Sequence, residues 1–390
     1  MIGLSKKHIN QEGSNMKNGK LQVAIIGCGG IANQKHFPAL AAQSDKCEMV
    51  AFCDIKVERA EKAAKEYGVE GAKVYSDYKE LLKDPEIDVV HVCTPNVAHS
   101  PITCDAFGAG KHVMCEKPMA HNTEAAQKMM DAWKASGKKF TVGYQNRFRV
   151  DTQMLHKACE ADEFGEIYFA KAHAIRRRAV PTWGVFPDKS QQGGGPLIDI
   201  GTHALDITLW CMNNYKPVSV MGSVYEKLGH SELAAQGNMF GPWDTKTYEV
   251  EDSAFGYVKF ENGATVFLES AWAINMKESR EAACTLCGTK GGAEIVGEMA
   301  GGNASGREYN LIVNGTYHGE LVEQQLSEGG SIAFFEGGSS EPKDLECAQW
   351  LDCIINDTDP VVKPEEAFTV TQILDAIYRS AAEGKEIKLN

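Results

Sequence analysis

Residues Leu21–Gly30 read LQVAIIGCGG and run straight on into Ile31-Ala32. A nearly continuous run of apolar and β-branched residues is the pattern of a parallel-sheet strand buried on both faces. It ends in Gly27-Cys28-Gly29-Gly30, and helix-compatible sequence follows. The stretch therefore reads as strand, tight glycine turn, helix. A pyrophosphate approaches backbone closely only where no Cβ intrudes. The helix start then offers it unpaired N–H groups and a positive dipole end. The turn departs from G-x-G-x-x-G in that Ala32 stands in place of the third glycine, still small enough for close helix–strand packing. By itself this turn is compatible with a dinucleotide site without establishing one.

Further strands of the same kind follow. Met49–Asp54 ends in an acid roughly 20-odd residues beyond the last glycine, where a dinucleotide fold places the carboxylate that binds the adenosine ribose hydroxyls. A carboxylate there repels a 2′-phosphate, which favours NAD over NADP. A helix cap is the plainer role for a strand-end aspartate. Val89–Thr94, HVMCEKP and Lys139–Gln145 read as further strands, alternating with helices at Ala98–Ala109 and Thr123–Ser136. Such alternation predicts βαβ crossovers and a doubly wound parallel sheet, whose ligands sit outside the carboxyl ends of the strands. Gly27–Gly30, Asp54, Thr94–Asn96, Glu116–Lys117 and Tyr144–Arg147 all fall at that edge.

A chain of 390 residues is expected to form two domains. The predicted boundaries are a polar, disordered extension over 1–19, a nucleotide domain over 20–146 and a second domain over 147–390. A net charge of −13 argues against nucleic-acid or anionic-membrane partners. No apolar run approaches the roughly 18 residues of a membrane span. The first residues lack a signal-peptide core, so a cytoplasmic location is expected. Twelve cysteines are scattered through apolar segments, where a thiol acts as a small hydrophobe. Cys284 and Cys287 form one C-x-x-C, but in a β-like run their side chains point to opposite faces, so no metal site is expected.

Beyond Arg147 the alternation stops. A helix over Val150–Ala161 and the strand EIYFAKAHAIRRRA precede a loop, VPTWGVFPDKSQQGGGPL, and then the helix LIDIGTHALDITLWCM. Strands are predicted at Val218–Tyr225, Ser253–Lys259, Ala264–Ala273, Ala282–Cys287 and Leu311–Val313, making a large, mostly antiparallel sheet. Gly229–Trp243 and Gly288–Gly306 read as glycine-rich loops. Helices at Asp344–Asn356 and Glu365–Glu383 close the chain.

Asp199 and His203 lie four residues apart on one predicted helix and share a face. A carboxylate beside an imidazole fixes its tautomer and raises its basicity, which suits removal of a proton from an alcohol. Asp206, one turn on, is a candidate support. Lys117, at a strand end and before Pro118, is the other acid–base candidate; spacing does not choose between Lys117 and His203 as base. Of Arg176, Arg177 and Arg178, the middle one faces opposite to the others, so at most two reach a ligand. Trp183 is either a stacking surface for a sugar or nicotinamide ring or a loop anchor.

GCGGIA, CD at the second strand end, CTPN with His99 following, EKP, and GGGPLIDIGTHALD together resemble the Gfo/Idh/MocA oxidoreductase family, from about Leu21 through the closing PEEAFTVTQILDAIYRSAAEGKEI. The resemblance implies a Rossmann domain followed by an α+β domain whose open sheet face makes a homo-oligomer interface. It implies NAD contacts from Gly27, Gly29, Gly30, Ile31, Asp54, Thr94, Asn96, His99, Glu116, Lys117 and Asn146. Lys117, Asp199 and His203 would form the catalytic group and touch the substrate, with Arg147, Arg178 and Trp183 as further substrate contacts. The run AHAIRRRAVPTWGVFPDKSQQGGGPLIDIGTHALDITLW is similar to the branch that oxidises the C3 hydroxyl of glucosides, which includes bacterial enzymes acting on plant C-glucosides such as puerarin. Rival activities are an NAD-dependent glycosidase working by transient oxidation, an inositol or aldose dehydrogenase, and a ligand-sensing regulator that performs no chemistry.

Overall fold

Six strands form the first sheet: β1 (Leu21–Ile26), β2 (Cys47–Cys53), β3 (Lys73–Tyr75), β4 (Val89–Val92), β5 (His112–Cys115) and β6 (Phe140–Val142). In this computed structural model, which describes residues 16–389 except 18, 237–242, 278, 298–308 and 327–340, their order is β3-β2-β1-β4-β5-β6 and every pairing is parallel. Every residue of β1 is buried, as expected of a strand covered on both faces. Helices Val57–Tyr67, Asn96–Gly108 and Thr123–Ser136 supply the crossovers. The short, partly exposed β3 lies outside the sequence-predicted strands. The disorder expected over 1–19 falls, for 1–15 and 18, outside the described residues.

The second sheet contains β7 (Ile167–Ile175), β8 (Pro217–Tyr225), β9 (Ser253–Phe260), β10 (Thr265–Ala271), β11 (Arg280–Gly288), β12 (Gly292–Gly297), β13 (Tyr309–Tyr317), β14 (Glu320–Leu326) and β15 (Ile387–Lys388). Its order is β14-β13-β12-β11-β7-β10-β9-β8-β15, antiparallel except where β7 meets β10. Part of the glycine-rich segment read as a loop is therefore β12. Its glycines serve close strand packing, since a Cβ on Gly292 would lie 2.6 Å from the Leu286 carbonyl oxygen; 298–306 lie outside the described residues. Cys284 pairs with Ala172 on the core side, whereas Cys287 pairs with Phe169, so the two thiols diverge.

Helix Thr202–Met212 and the long helix Pro364–Glu383 pack on the inner face of this sheet. Helix Pro342–Ile355 returns instead to the nucleotide layer, packing on helix Phe37–Ala41 and adding Cys347, Trp350, Leu351 and Cys353 to the apolar cluster that holds Leu21, Val23 and Ile25. The carboxyl-terminal segment thus closes one face of the nucleotide layer, and a second apolar cluster runs continuously between the two sheets. No helix among the described residues is long and apolar enough to cross a membrane.

Candidate active site

The glycine turn at the end of β1 is shaped by its surroundings. Gly27 has φ 95°, and a Cβ there would lie 2.5 Å from the Cys93 carbonyl oxygen at the end of β4. Cβ atoms on Gly29 or Gly30 would meet nothing within 4 Å, so the backbone is open to a ligand at these two residues. Asp54, just past β2, accepts from Cys28 N at 2.9 Å and from Lys56 N at 2.8 Å. Its carboxylate therefore braces the turn and starts the next helix as well as facing the ligand edge. Thr94, past β4, has a buried Oγ1 with no protein partner. Open glycines, a strand-end acid and an orphaned hydroxyl along one edge fit a dinucleotide. The helix after the turn begins with a widened π segment, Ala32–His36, that places Lys35 and His36 under the sheet edge.

Lys35 and His36 converge on Glu116. Its Oε1 accepts from Lys35 Nζ at 2.7 Å and lies 2.8 Å from His36 Nε2, while Oε2 accepts from Lys117 N. Burial alone would raise this carboxyl, but Lys35 and His36 hold it well below its ordinary value. Glu116 is thus a buried anion clamping the backbone that carries Lys117. His99, fully buried, spans the Pro118 and Thr94 carbonyls at 2.8 and 2.9 Å and ties two strand ends together around the cis Lys117–Pro118 peptide. Asn96 reaches the second domain, donating to the Gln192 carbonyl at 3.0 Å. Asn146 is buried in the turn Gln145–Phe148 at the same edge, and Ile31 is partly exposed at the start of the first helix.

Across the cleft, Lys117 Nζ donates to Asp199 Oδ1 at 2.9 Å and to the Asp199 carbonyl at 2.8 Å. Asp199 Oδ2 accepts from Trp272 Nε1 at 3.1 Å. Burial by itself would raise Asp199, yet Lys117 and Arg176 hold it below its ordinary value. The expected Asp199–His203 pair is not made: both carboxylate oxygens are taken, and His203 Nδ1 is buried without a partner. The physical reason is local. Leu197–Gly201 is a widened π turn, so the 3.6-residue spacing that would bring positions four apart together does not hold there. Burial and the Lys117 ammonium push His203 down to about 3, so its imidazole is neutral at physiological pH. Tyr144 sets its ring edge to His203 at 6.3 Å and fixes its own hydroxyl on Thr202 Oγ1 at 2.7 Å.

The end of the loop before this helix is tightly packed. Glu251 accepts from Gly195 N, Leu197 N and Tyr378 Oη at 2.8, 3.1 and 2.7 Å. A Cβ on Gly194 would come 2.1 Å from Tyr378 Oη. The glycine run is therefore demanded by the carboxylate and the tyrosine that hold the start of the Asp199–His203 helix.

One substrate candidate is placed elsewhere by the structure. Arg147 is fully buried, paired with Asp206 through Nη2 at 2.6 Å and with Glu366 through Nη1 at 2.5 Å, and further held by the Val361 carbonyl and Tyr215. It cross-links helices instead of facing the cleft, and it takes Asp206 away from His203. Arg178 donates to the Arg177 and Ile274 carbonyls and to Asn275. Arg176 is the arginine that acts on Asp199, while Arg177 is exposed. Trp183 is 40% exposed and begins an edge-on aromatic series through Phe186 to Trp272. Sequence reasoning missed Trp272, Glu251 and Glu281. Only Trp272 carried a signal, as an aromatic at a strand end beside the cleft.

Residues 21–144 match the oxidoreductase family with an NAD-binding Rossmann fold, and residues 156–389 match its C-terminal alpha/beta domain. The chain is 35% identical over 376 residues to the D-glucoside 3-dehydrogenase of Escherichia coli (strain K12), spanning 96% of this chain and 99% of that one. It is 27% identical over 396 residues to the levoglucosan dehydrogenase of Pseudarthrobacter phenanthrenivorans, spanning 93% and 96%. Among solved structures, the aldose-aldose oxidoreductase of Caulobacter crescentus complexed with glycerol superposes with a TM-score of 0.74 at 25% identity, over 95% of this chain and all of that one. The chain belongs to the Gfo/Idh/MocA family of NAD-binding oxidoreductases.

Proposed function

We propose that this oxidoreductase oxidises the C3 hydroxyl of a glucoside, with NAD as hydride acceptor. The observation that carries the reading is the Lys117–Asp199 pair facing a neutral His203 whose Nδ1 has no protein partner. The similarity to a glucoside 3-dehydrogenase along nearly the whole chain supports the substrate class.

Gly27, Gly29, Gly30 and Ile31 would hold the pyrophosphate, Asp54 the adenosine ribose, and Thr94, Asn96 and Asn146 the nicotinamide side, with Glu116 and His99 keeping those strand ends in place. Bound NAD supplies the acceptor for the hydrogen leaving the sugar carbon. The chain supplies the proton transfer. An ammonium has three donors. Two of those on Lys117 are directed at Asp199, which leaves the third for the substrate oxygen, where it stabilises the developing alkoxide. His203 accepts the hydroxyl proton, and Asp199 nearby favours the imidazolium that results. Trp183, 40% exposed, would offer a stacking surface to a pyranose or aglycone.

A second copy of the chain covers the outer face of the second sheet in this reading. Met221, Tyr257 and Phe267 are cross-strand neighbours on that face, and Phe169 sets its ring edge to Phe267 at 5.7 Å. An exposed apolar row of this kind marks an association surface.

The test is NADH formation across methyl glucosides, a C-glucoside, inositol and free aldoses, with the sugar product identified by mass spectrometry. A 3-oxo-glucoside equimolar with NADH is the expected product. Free sugar without net NADH would place the protein with glycosidases acting by transient oxidation.

A further inference from the structure

Strand β11 holds one residue more than its partner. Arg280 lies opposite Ile175 on β7 and Ala283 opposite His173, so three steps on β11 match two on β7. The surplus is absorbed at Ala282, whose φ of 49° lies in the left-handed region that a residue with a Cβ enters at a cost. Side chains alternate along a strand, so one inserted residue reverses the face of what precedes it. In unbroken register Glu281 would stand opposite Ile175, on the outer face. The bulge gives that place to Arg280, which pairs with Glu294 at 3.6 Å, and turns Glu281 to the helix side. There its carboxylate takes Arg176 Nε and Nη2, each at 2.7 Å, in a bidentate pair. The bulge is braced from behind: Arg149 Nη1 donates to the Ala282 carbonyl at 2.7 Å, and Arg149 is itself locked on Asp151.

The pair lies beside the reaction centre: Arg176 N donates to the Ala271 carbonyl at 2.8 Å, and the next residue, Trp272, donates its Nε1 to Asp199 Oδ2 at 3.1 Å. The Arg176 guanidinium accordingly helps Lys117 hold Asp199 below its ordinary value. Arg176 Nη1 makes no hydrogen bond among the described residues. Building on the glucoside reading, we propose that the Arg176–Glu281 pair recognises a hydroxyl on a carbon adjacent to the one oxidised, Arg176 donating to its oxygen and Glu281 accepting its proton. A hydroxyl is donor and acceptor at once, and a guanidinium beside a carboxylate meets it on both counts. The two charges cancel, so the subsite suits a neutral polyol. A substrate lacking that hydroxyl leaves the Arg176 Nη1 donor desolvated without an acceptor, which is how a polar subsite rejects a deoxy analogue.

The test compares kcat/KM on methyl β-D-glucopyranoside with that on its 2-deoxy and 4-deoxy analogues. The proteins are the unaltered chain, Glu281→Gln, and Ala282→Gly, which keeps the bulge and relieves its strain. The unaltered chain should lose at least about 100-fold on one of the deoxy analogues. Glu281→Gln should shrink that penalty below about 10-fold, chiefly through KM for the full substrate, and Ala282→Gly should keep it. Full discrimination against both analogues in Glu281→Gln overturns the proposal. If the unaltered chain oxidises a different cyclic polyol, the glucoside reading fails while the same comparison on deoxy forms of that polyol still decides the role of the pair. No NADH from any polyol would overturn both.

Discussion

Replacing Lys117 with methionine keeps the apolar stem and removes the ammonium. Asp199 then loses its contacts at 2.9 and 2.8 Å and keeps only Trp272 Nε1 at 3.1 Å among direct donors. Loss of a preorganised donor to a developing oxyanion costs about 10²–10³ in kcat, or roughly 3–4 kcal/mol. Breaking a fully buried ion pair destabilises a fold by about 3–5 kcal/mol. The Lys117 and Asp199 side chains are still 17% and 14% exposed, so the structural cost lies below that range. His203 loses the second of the two influences that push it down to about 3, and burial remains. The variant should therefore fold, bind NAD and turn over at least about 100-fold more slowly. The decisive form is a double-mutant cycle with Asp199→Asn, read as initial rates of NADH absorbance at saturating NAD, with melting temperature and NAD affinity as controls. Residues that act as a unit are strongly non-additive. Lys117→Met/Asp199→Asn should be no more than about 10-fold worse than the poorer single variant. Losses that multiply, or a Lys117→Met enzyme within 10-fold of the unaltered one, would refute a coupled pair.

Arg147→Met leaves Asp206 and Glu366 without their cation in the interior, so it should destabilise by about 3–5 kcal/mol in denaturant unfolding, with KM little changed in whatever protein remains folded. A substrate-binding arginine would show the reverse. Gly194→Ala drives a Cβ toward Tyr378 Oη and should lower kcat at least about 10-fold by displacing the helix that carries Asp199 and His203, whereas Tyr378→Phe with it should recover part of the loss, as steady-state rates would report. Burial raises Glu346 from 4.5 to about 7, against the pull of Lys35 at 2.8 Å. Its contribution to stability is therefore complete below pH 4.5 and lost as pH rises through about 7. Glu346→Gln should flatten that part of the melting-temperature profile; an unchanged fall between pH 5 and 8 would show that other groups cause it.

The nucleotide sheet is legible in the sequence because its central strands are buried on both faces and announce themselves as apolar runs, as in VAII and VVHV. β3 escapes notice because it is a three-residue edge with an exposed lysine, and β14 because an edge strand exposed at nearly every position shows no core face. The site is legible as a set of residues but not as a set of partnerships. Asp199 sits four positions from His203, yet it holds Lys117, 82 positions earlier, because a π turn rotates it away from its local neighbour. Arg147 stands among ligand-edge residues in sequence, and only Asp206, Glu366 and Val361, brought in by the second domain, show that it is structural. Glu281 was invisible for a different reason. Strand parity places it on the outer face, and a single inserted residue, which composition does not reveal, reverses that parity.

The claim that Lys117 and His203 act on a C3 hydroxyl is tested most directly by isotope transfer. Methyl β-D-glucopyranoside bearing deuterium at C3 is incubated with NAD and the protein, and both products are analysed by mass spectrometry. The account predicts one deuterium in each NADH formed and an equal amount of unlabelled 3-oxo-glucoside, with His203→Ala abolishing both while NAD binding persists. Unlabelled NADH, or sugar released with no NADH, would contradict it.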